Sequence, residues 1–260
     1  MSVVDVNGGR LWYDEAGSGD AVLLLHGGLG DSGLWEPVVP FLAERFRTIR
    51  TDLRFFGRST GPLVPWSWQE DVVSLLDGLG IERAALVGLS MGGRLAVDVA
   101  LARPERVWAL AHVAGGLGGH DSAAYSEAHE TRYEAAEAAG DLEAAMAIDL
   151  EVWAPLGSDD RIRQLWRATP EGNGLPPELE PIPAAGPPAT ERLGELAVPV
   201  LVVTVSEDPP GHREAGLLVA RDAPDSRHVE LDSDHYVTLR EPELLSRVLL
   251  DFLAAASPEQ

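Results

Sequence analysis

The amino-acid sequence predicts an α/β fold, a mostly parallel eight-stranded sheet flanked by helices with an inserted helical cap. Three observations predict it. Continuous apolar runs, such as Ala21-Val22-Leu23-Leu24-Leu25 and Val200-Leu201-Val202-Val203, read as strands covered on both faces. Strand-like and helix-like segments alternate up to residue 116 and again after 190, the rhythm of parallel strands joined by crossover helices. Residues 117–190 break that rhythm with alanine-rich helical segments and a proline-rich tract from Pro176 to Pro188. The domain expectation is therefore a core of residues 1–116 and 191–260, with residues 117–190 as a cap, or lid, over the sheet's C-terminal edge. A flexible linker is the alternative for that stretch.

Taken in order, residues 3–6 and 10–15 form a hairpin about Asn7-Gly8-Gly9. The run 21–26 is the first buried strand and ends in His26-Gly27-Gly28-Leu29-Gly30, a glycine-rich loop before a helix starting near Asp31 or Ser32. Residues 47–52 read as a strand and 53–60 as a loop. Apolar positions 72, 73, 75, 76 and 79, with Gly80 beyond, give a helix over 68–79. The strand at 85–89 runs into a helix at 94–103, and a strand follows at 107–113. Helical segments are expected near 123–139, 141–153 and 159–168. The pattern then resumes with a strand at 198–205, a helix at 211–222, a strand at 227–232 and a helix at 241–254.

Composition narrows the function classes. The 42 acidic and 20 basic residues give a formal charge of −22, which repels nucleic acid and anionic membrane and disfavours a polyanionic substrate. The cap alone holds 14 acidic and 4 basic residues. Every basic residue is arginine, so Schiff-base chemistry has no lysine to use, and the absence of cysteine excludes disulfides and thiolate catalysis. No stretch approaches a membrane span or a secretory leader, so the expectation is a cytoplasmic protein, monomer or homodimer, acting on a small molecule. His112, His120, His129, His212 and His228 show no ligand spacing with each other; no metal and no cofactor are expected. A phosphate loop at residues 27–30 is rejected because no lysine follows.

The chemistry gathers at Gly88-Leu89-Ser90-Met91-Gly92-Gly93, where an apolar strand meets a helix. Gly-x-Ser-x-Gly at such a junction is the pattern of a nucleophile elbow, whose strained turn lifts a serine hydroxyl above the sheet edge. A serine is a poor nucleophile unaided, so a base and an orienting acid are required. Asp208, at the exit of the strand 198–205, is chosen as the acid over Glu207 because Pro209 restricts its backbone. His235, in the loop before the last helix, is the base. An ordinary turn serine is the bland alternative for Ser90, and structural hydrogen bonding is favoured for His26.

The motifs together resemble those of the α/β-hydrolase fold superfamily along essentially the whole chain, closest to its capped esterase, lactonase and C–C hydrolase branches. The resemblance rests on His26-Gly27-Gly28, Asp52-Leu53-Arg54 with Gly57-Arg58-Ser59, the elbow, Asp208 and His235, in that order. It implies a Ser90, Asp208, His235 triad and oxyanion donors at the backbone N–H groups of Gly28 and Met91, with Leu29 as the register alternative to Gly28. Phe55 stands where the family often has glycine and is expected to crowd one side of the pocket. Val205, at another such place, keeps Glu207 open as the acid. Leu29, Trp153, Trp166 and Tyr236 are the candidate pocket residues, and Arg54 and Arg58 are weighed as carboxylate binders against structural roles. The implied activity is cofactor-independent hydrolysis of a small ester or lactone. C–C cleavage, a non-hydrolytic biosynthetic reaction and a non-catalytic small-molecule receptor or signalling protein are the alternatives.

Overall fold

A computed structural model describes residues 2–62, 65–121, 124–170, 181–182 and 186–258. Most of the proline-rich tract lies outside the described residues. The elements are β1 (Ser2–Val6), β2 (Gly9–Ala16), β3 (Ala21–Leu25), α1 (Val39–Leu42), β4 (Arg47–Thr51), α2 (Trp68–Gly78), β5 (Ala84–Leu89), α3 (Met91–Ala102), β6 (Val107–Val113), α4 (Glu127–Ala139), α5 (Leu142–Trp153), α6 (Asp160–Trp166), β7 (Val200–Val205), α7 (Pro210–Asp222), β8 (Ser226–Leu231), α8 (Val237–Arg240) and α9 (Pro242–Ala256).

The eight strands form one sheet in the order β1-β2-β4-β3-β5-β6-β7-β8. The β1–β2 and β2–β4 pairs are antiparallel and the rest parallel. Asn7 and Gly8 both have positive φ, 39° and 80°, which matches the right-handed twist of the β1–β2 hairpin. Period-two alternation divides the core. Val22, Leu24, Val87 and Leu201 face one apolar layer together with α9, whereas Leu23, Leu25, Leu86 and Val202 face another with α2, α3 and α7.

The segment after β3 departs from expectation. Instead of one helix from Asp31 there is a single 3₁₀ turn, Ser32–Trp35, followed by the four-residue α1. Pro37 and Pro40 each lack the N–H that a continuous helix would need. Helices α4, α5 and α6 lie between β6 and β7 in the chain. Helix α5 buries Met146, Ile148, Asp149, Leu150 and Trp153, whereas α4 buries only Ala136, with His129 and Tyr133 half-buried.

Candidate active site

Ser90 stands between β5 and α3 with φ 56° and ψ −117°, a conformation that an L-residue holds only under compulsion. The compulsion is visible in its neighbours. A Cβ on Gly88 would run into the Gly92 carbonyl, and one on Gly92 into the Leu25 carbonyl, so strand, turn and helix close only with glycine at both places. Backbone bonds fix the turn further: Ser90 N–H donates to Val113 O at 3.0 Å, and Ser90 O accepts from Gly93 and Gly116.

His235 and Asp208 come from two further strand ends. His235 Nδ1 donates to Asp208 Oδ1 at 2.8 Å, with both residues buried. That bond puts the ring proton on Nδ1 and leaves Nε2 as an acceptor. Glu207 is exposed and does not meet the histidine; its N–H donates to Ser233 O, beside the loop that carries His235. The same loop is held by Asp234, whose buried carboxylate accepts from Tyr236 N–H, Arg240 and Leu156 N–H. Arg240 also donates to the Gly157 carbonyl, tying the end of α5 to the histidine loop.

A cavity of about 560 Å³ joins these groups. Its wall includes Gly28, Leu29, Ser90, Met91 and His235 from the sheet side, and Tyr125, Asp149, Trp153 and Trp166 from the helical segment. Gly28 and Met91 are adjacent there: a Cβ on Gly28 would lie 3.8 Å from the Met91 sulfur. Leu29, Trp153 and Trp166 line the cavity. Tyr236 does not; it is 2% exposed, packs behind the wall and hydrogen-bonds the Leu29 carbonyl at 3.4 Å. Burial, with Asp149 and Asp234 nearby, pushes its phenol far above the ordinary range.

Several residues take places other than those expected. Phe55 has φ 71° and stacks edge-on against Trp66 at 4.8 Å, outside the cavity lining, so it does not crowd the pocket. Arg54 is fully buried in a two-pronged pair with Asp71, at 2.6 and 2.8 Å, and Arg58 pairs with Asp52 at 2.7 Å. Neither faces Ser90. Burial alone would raise the Asp52 carboxyl, but hydrogen bonds from Arg58 and Ser32 outweigh it and hold it below the usual range. His26 spends both nitrogens on backbone, donating from Nδ1 to Gly27 O and accepting at Nε2 from Leu53 N–H. Burial lowers its pKa.

His212, remote from His235 in sequence, arrives beside it, with ring centroids 5.1 Å apart. Its Nε2 donates to Ala114 O at 2.9 Å, and burial first, then the neighbouring His235, lowers its pKa to about 4. Among the described residues, Asp208, His212 and His235 are the one group whose ligand-type atoms lie within 4.8 Å of one another. Asp208 and His235 already share the 2.8 Å bond, which a metal taking His235 Nδ1 would have to break. Tyr125, Tyr133 and Asp149 also reach the cavity. The one sequence signal for Asp149 is its position four residues before Trp153, on the same helical face.

An eight-stranded α/β sheet carrying a strained serine at the β5–α3 turn, with a histidine and an acid from later strand ends, defines a hydrolase-type scaffold. The chain belongs to the α/β hydrolase fold family, whose model matches residues 20–149. Its relatives include a 2-hydroxy-6-oxononadienedioate/2-hydroxy-6-oxononatrienedioate hydrolase of Paraburkholderia xenovorans, 31% identical over 94% of this chain and 91% of that protein. Another, "Putative carbamate hydrolase RutD" of Azorhizobium caulinodans, is 28% identical over 93% of this chain and 94% of its own. Among solved structures, a thermophilic esterase from Thermogutta terrifontis aligns with a TM-score of 0.77 and 26% identity, covering 98% of this chain and 99% of that one. No helix among the described residues is long and apolar enough to cross a membrane.

Proposed function

We propose that this hydrolase cleaves a small ester or lactone through an acyl-enzyme on Ser90, without a cofactor. The observation that carries the reading is the His235–Asp208 bond beside a cavity that also contains the strained Ser90. With Asp208 holding the proton on Nδ1, Nε2 of His235 takes the Ser90 proton as the hydroxyl attacks the carbonyl. The Gly28 and Met91 N–H groups stabilise the tetrahedral oxyanion, each worth about 3 kcal/mol where such donors have been removed from other hydrolases. His235 then protonates the leaving oxygen and activates the water that frees the enzyme. Residues 117–190 act as the cap of this site, over a core of residues 1–116 and 191–260.

The test is a fluorophosphonate reaction read by intact mass, beside hydrolysis of short p-nitrophenyl esters and lactones. Labelling at Ser90 with turnover is expected, and Ser90→Ala should lose both while keeping its unfolding midpoint. Turnover retained in Ser90→Ala would sink the mechanism. The Paraburkholderia relative favours a second reading, since the hydroxy-oxo-dienedioate in its name contains no ester and its hydrolysis must break a carbon–carbon bond. Labelling of Ser90 without ester turnover would move the assignment there.

A further inference from the structure

The loop that carries His235 and the helical segment above it are joined twice. The first join is made by Asp234, which is fully buried beside His235. Its Oδ1 accepts from Tyr236 N–H at 3.1 Å and Arg240 Nε at 3.2 Å, and its Oδ2 from Arg240 Nη2 at 2.9 Å and Leu156 N–H at 3.3 Å. Nη2 of Arg240 also donates to the Gly157 carbonyl. One guanidinium–carboxylate fork therefore grips both a donor and an acceptor of the turn between α5 and α6, and the histidine loop on its other side. The second join is Trp153, the last residue of α5, whose ring packs on that of His235 at 4.4 Å. Burial does not hold the turn that follows it: Leu156 is 57% exposed, and a Cβ on Gly157 would meet nothing within 4 Å among the described residues. Its place is set by the bonds to Asp234 and Arg240.

We propose that Arg240 is a positioning residue for His235: by locking the Leu156–Gly157 turn onto Asp234 it fixes where α5 ends, and with it the Trp153 ring that keeps the imidazole in place. The inference deepens the hydrolase reading and rests on it for the part His235 plays as the base. A base must keep its acceptor nitrogen within hydrogen-bond reach of the hydroxyl it serves, and a displacement of about 1 Å can cost a hundredfold in rate. Asp208 holds the imidazole through one bond at Nδ1, about which the ring can still tilt. Tilt is opposed by the Trp153 ring. The bond from Trp153 Nε1 to Tyr125 steers that indole within the helical segment, but it does not set the segment against the histidine loop. Arg240 does. Arg161, which pairs with Glu36 at 2.9 Å, ties α6 to the segment after β3 and leaves the histidine loop untouched.

The experiment compares Arg240→Gln, Arg240→Lys and Arg161→Gln with the wild type by two readouts. One is kcat and KM for p-nitrophenyl butyrate; the other is solvent exchange of the His235 Nδ1 proton, followed by NMR in histidine-labelled protein and assigned with His235→Gln. Arg240→Gln is expected to lower kcat by roughly 10- to 100-fold with KM unchanged, and to speed exchange of the Nδ1 proton. Arg240→Lys should recover part of both, since it keeps the charge beside Asp234 but not the fork. It also carries the test if Arg240→Gln, which strips a buried carboxylate of its cation, does not fold. Arg161→Gln should change neither readout. Equal losses in Arg240→Gln and Arg161→Gln would assign the effect to a loosened helical segment and overturn the positioning role, as would an unchanged kcat and Nδ1 proton in Arg240→Gln. A wild type without ester turnover, in which Arg240→Gln still frees the Nδ1 proton and Arg161→Gln does not, counts against the ester reading and upholds the role of Arg240.

Discussion

On the sheet side of the cavity, position is imposed by backbone. Ser90 is where it is because Gly88 and Gly92 permit one turn only, and His235 and Asp208 sit on loops fixed to the ends of parallel strands. On the helical side, position is imposed by side chains on one another: Asp149 holds Tyr125 and Trp166, and Tyr125 holds Trp153. The two walls meet where Trp153 covers the His235 ring. A backbone-built wall tolerates changes elsewhere but none at its glycines. A side-chain-built wall can be remade by a few substitutions, so one fold can keep its chemistry and change its substrate.

The comparison breaks most decisively at Asp208. Asp208→Asn preserves the shape of the sheet-side wall but allows the amide to donate to His235 Nδ1, which reverses the tautomer and puts a proton where the proposed mechanism needs an acceptor for Ser90. A fall in kcat of about 10⁴-fold is expected, with binding of an uncharged inhibitor unchanged. A fall of less than tenfold would mean that the 2.8 Å bond does not orient the base.

Next comes the junction. Trp153 packs on the imidazole that, in the proposed mechanism, becomes positive when it takes the Ser90 proton, so its ring contributes a cation–π attraction of about 0.5–2 kcal/mol to the charged form. Trp153→Leu should lower kcat by roughly 2- to 30-fold and shift the acid limb of its pH profile downwards, because the imidazolium loses support. Trp153→Phe should recover part of both. Equal losses in the two variants would assign Trp153 to packing alone.

How far the sequence reveals each wall follows from the same difference. Gly88, Ser90 and Gly92 are legible because a strained turn admits few residues, and the apolar runs of β3, β5, β6 and β7 because a doubly covered strand must be apolar throughout. Asp208 was separable from Glu207 through Pro209 alone. The helical wall is only half legible: Trp153 and Trp166 are candidates because they lie in the expected cap, but Asp149 looks like any acidic residue on an acidic helix. Its role depends on Trp166 and Tyr125, 17 and 24 residues away along the chain, and on a second-hand bond to Trp153 through Tyr125. Tyr236 misled for the opposite reason. It neighbours His235 in sequence, yet Asp234 and Leu29 turn it behind the wall.

The smallest effect concerns His212, which borders both walls: its ring contacts Trp153 on one side and His235 on the other, each at 5.1 Å. Burial, with the His235 charge second, lowers its pKa from 6.5 unfolded to about 4. The folded state therefore binds fewer protons than the unfolded state between those values. Stability from this group is complete above pH 6.5 and is lost as pH falls towards 4, with a slope of at most about 1.4 kcal/mol per pH unit. The same sign holds for His26 and His112, both lowered by burial, so the whole protein should weaken in this window. His212→Gln removes one of the three contributions. Urea unfolding at pH 4.5, 5.5 and 7 should show a flatter dependence in the variant than in the wild type, even if the variant is about 1 kcal/mol less stable at pH 7 through a poorer bond to the Ala114 carbonyl. An unchanged slope would mean that His212 takes up its proton inside the fold, which would place a positive charge beside His235 and oppose the charge that the proposed base gains when it accepts the Ser90 proton.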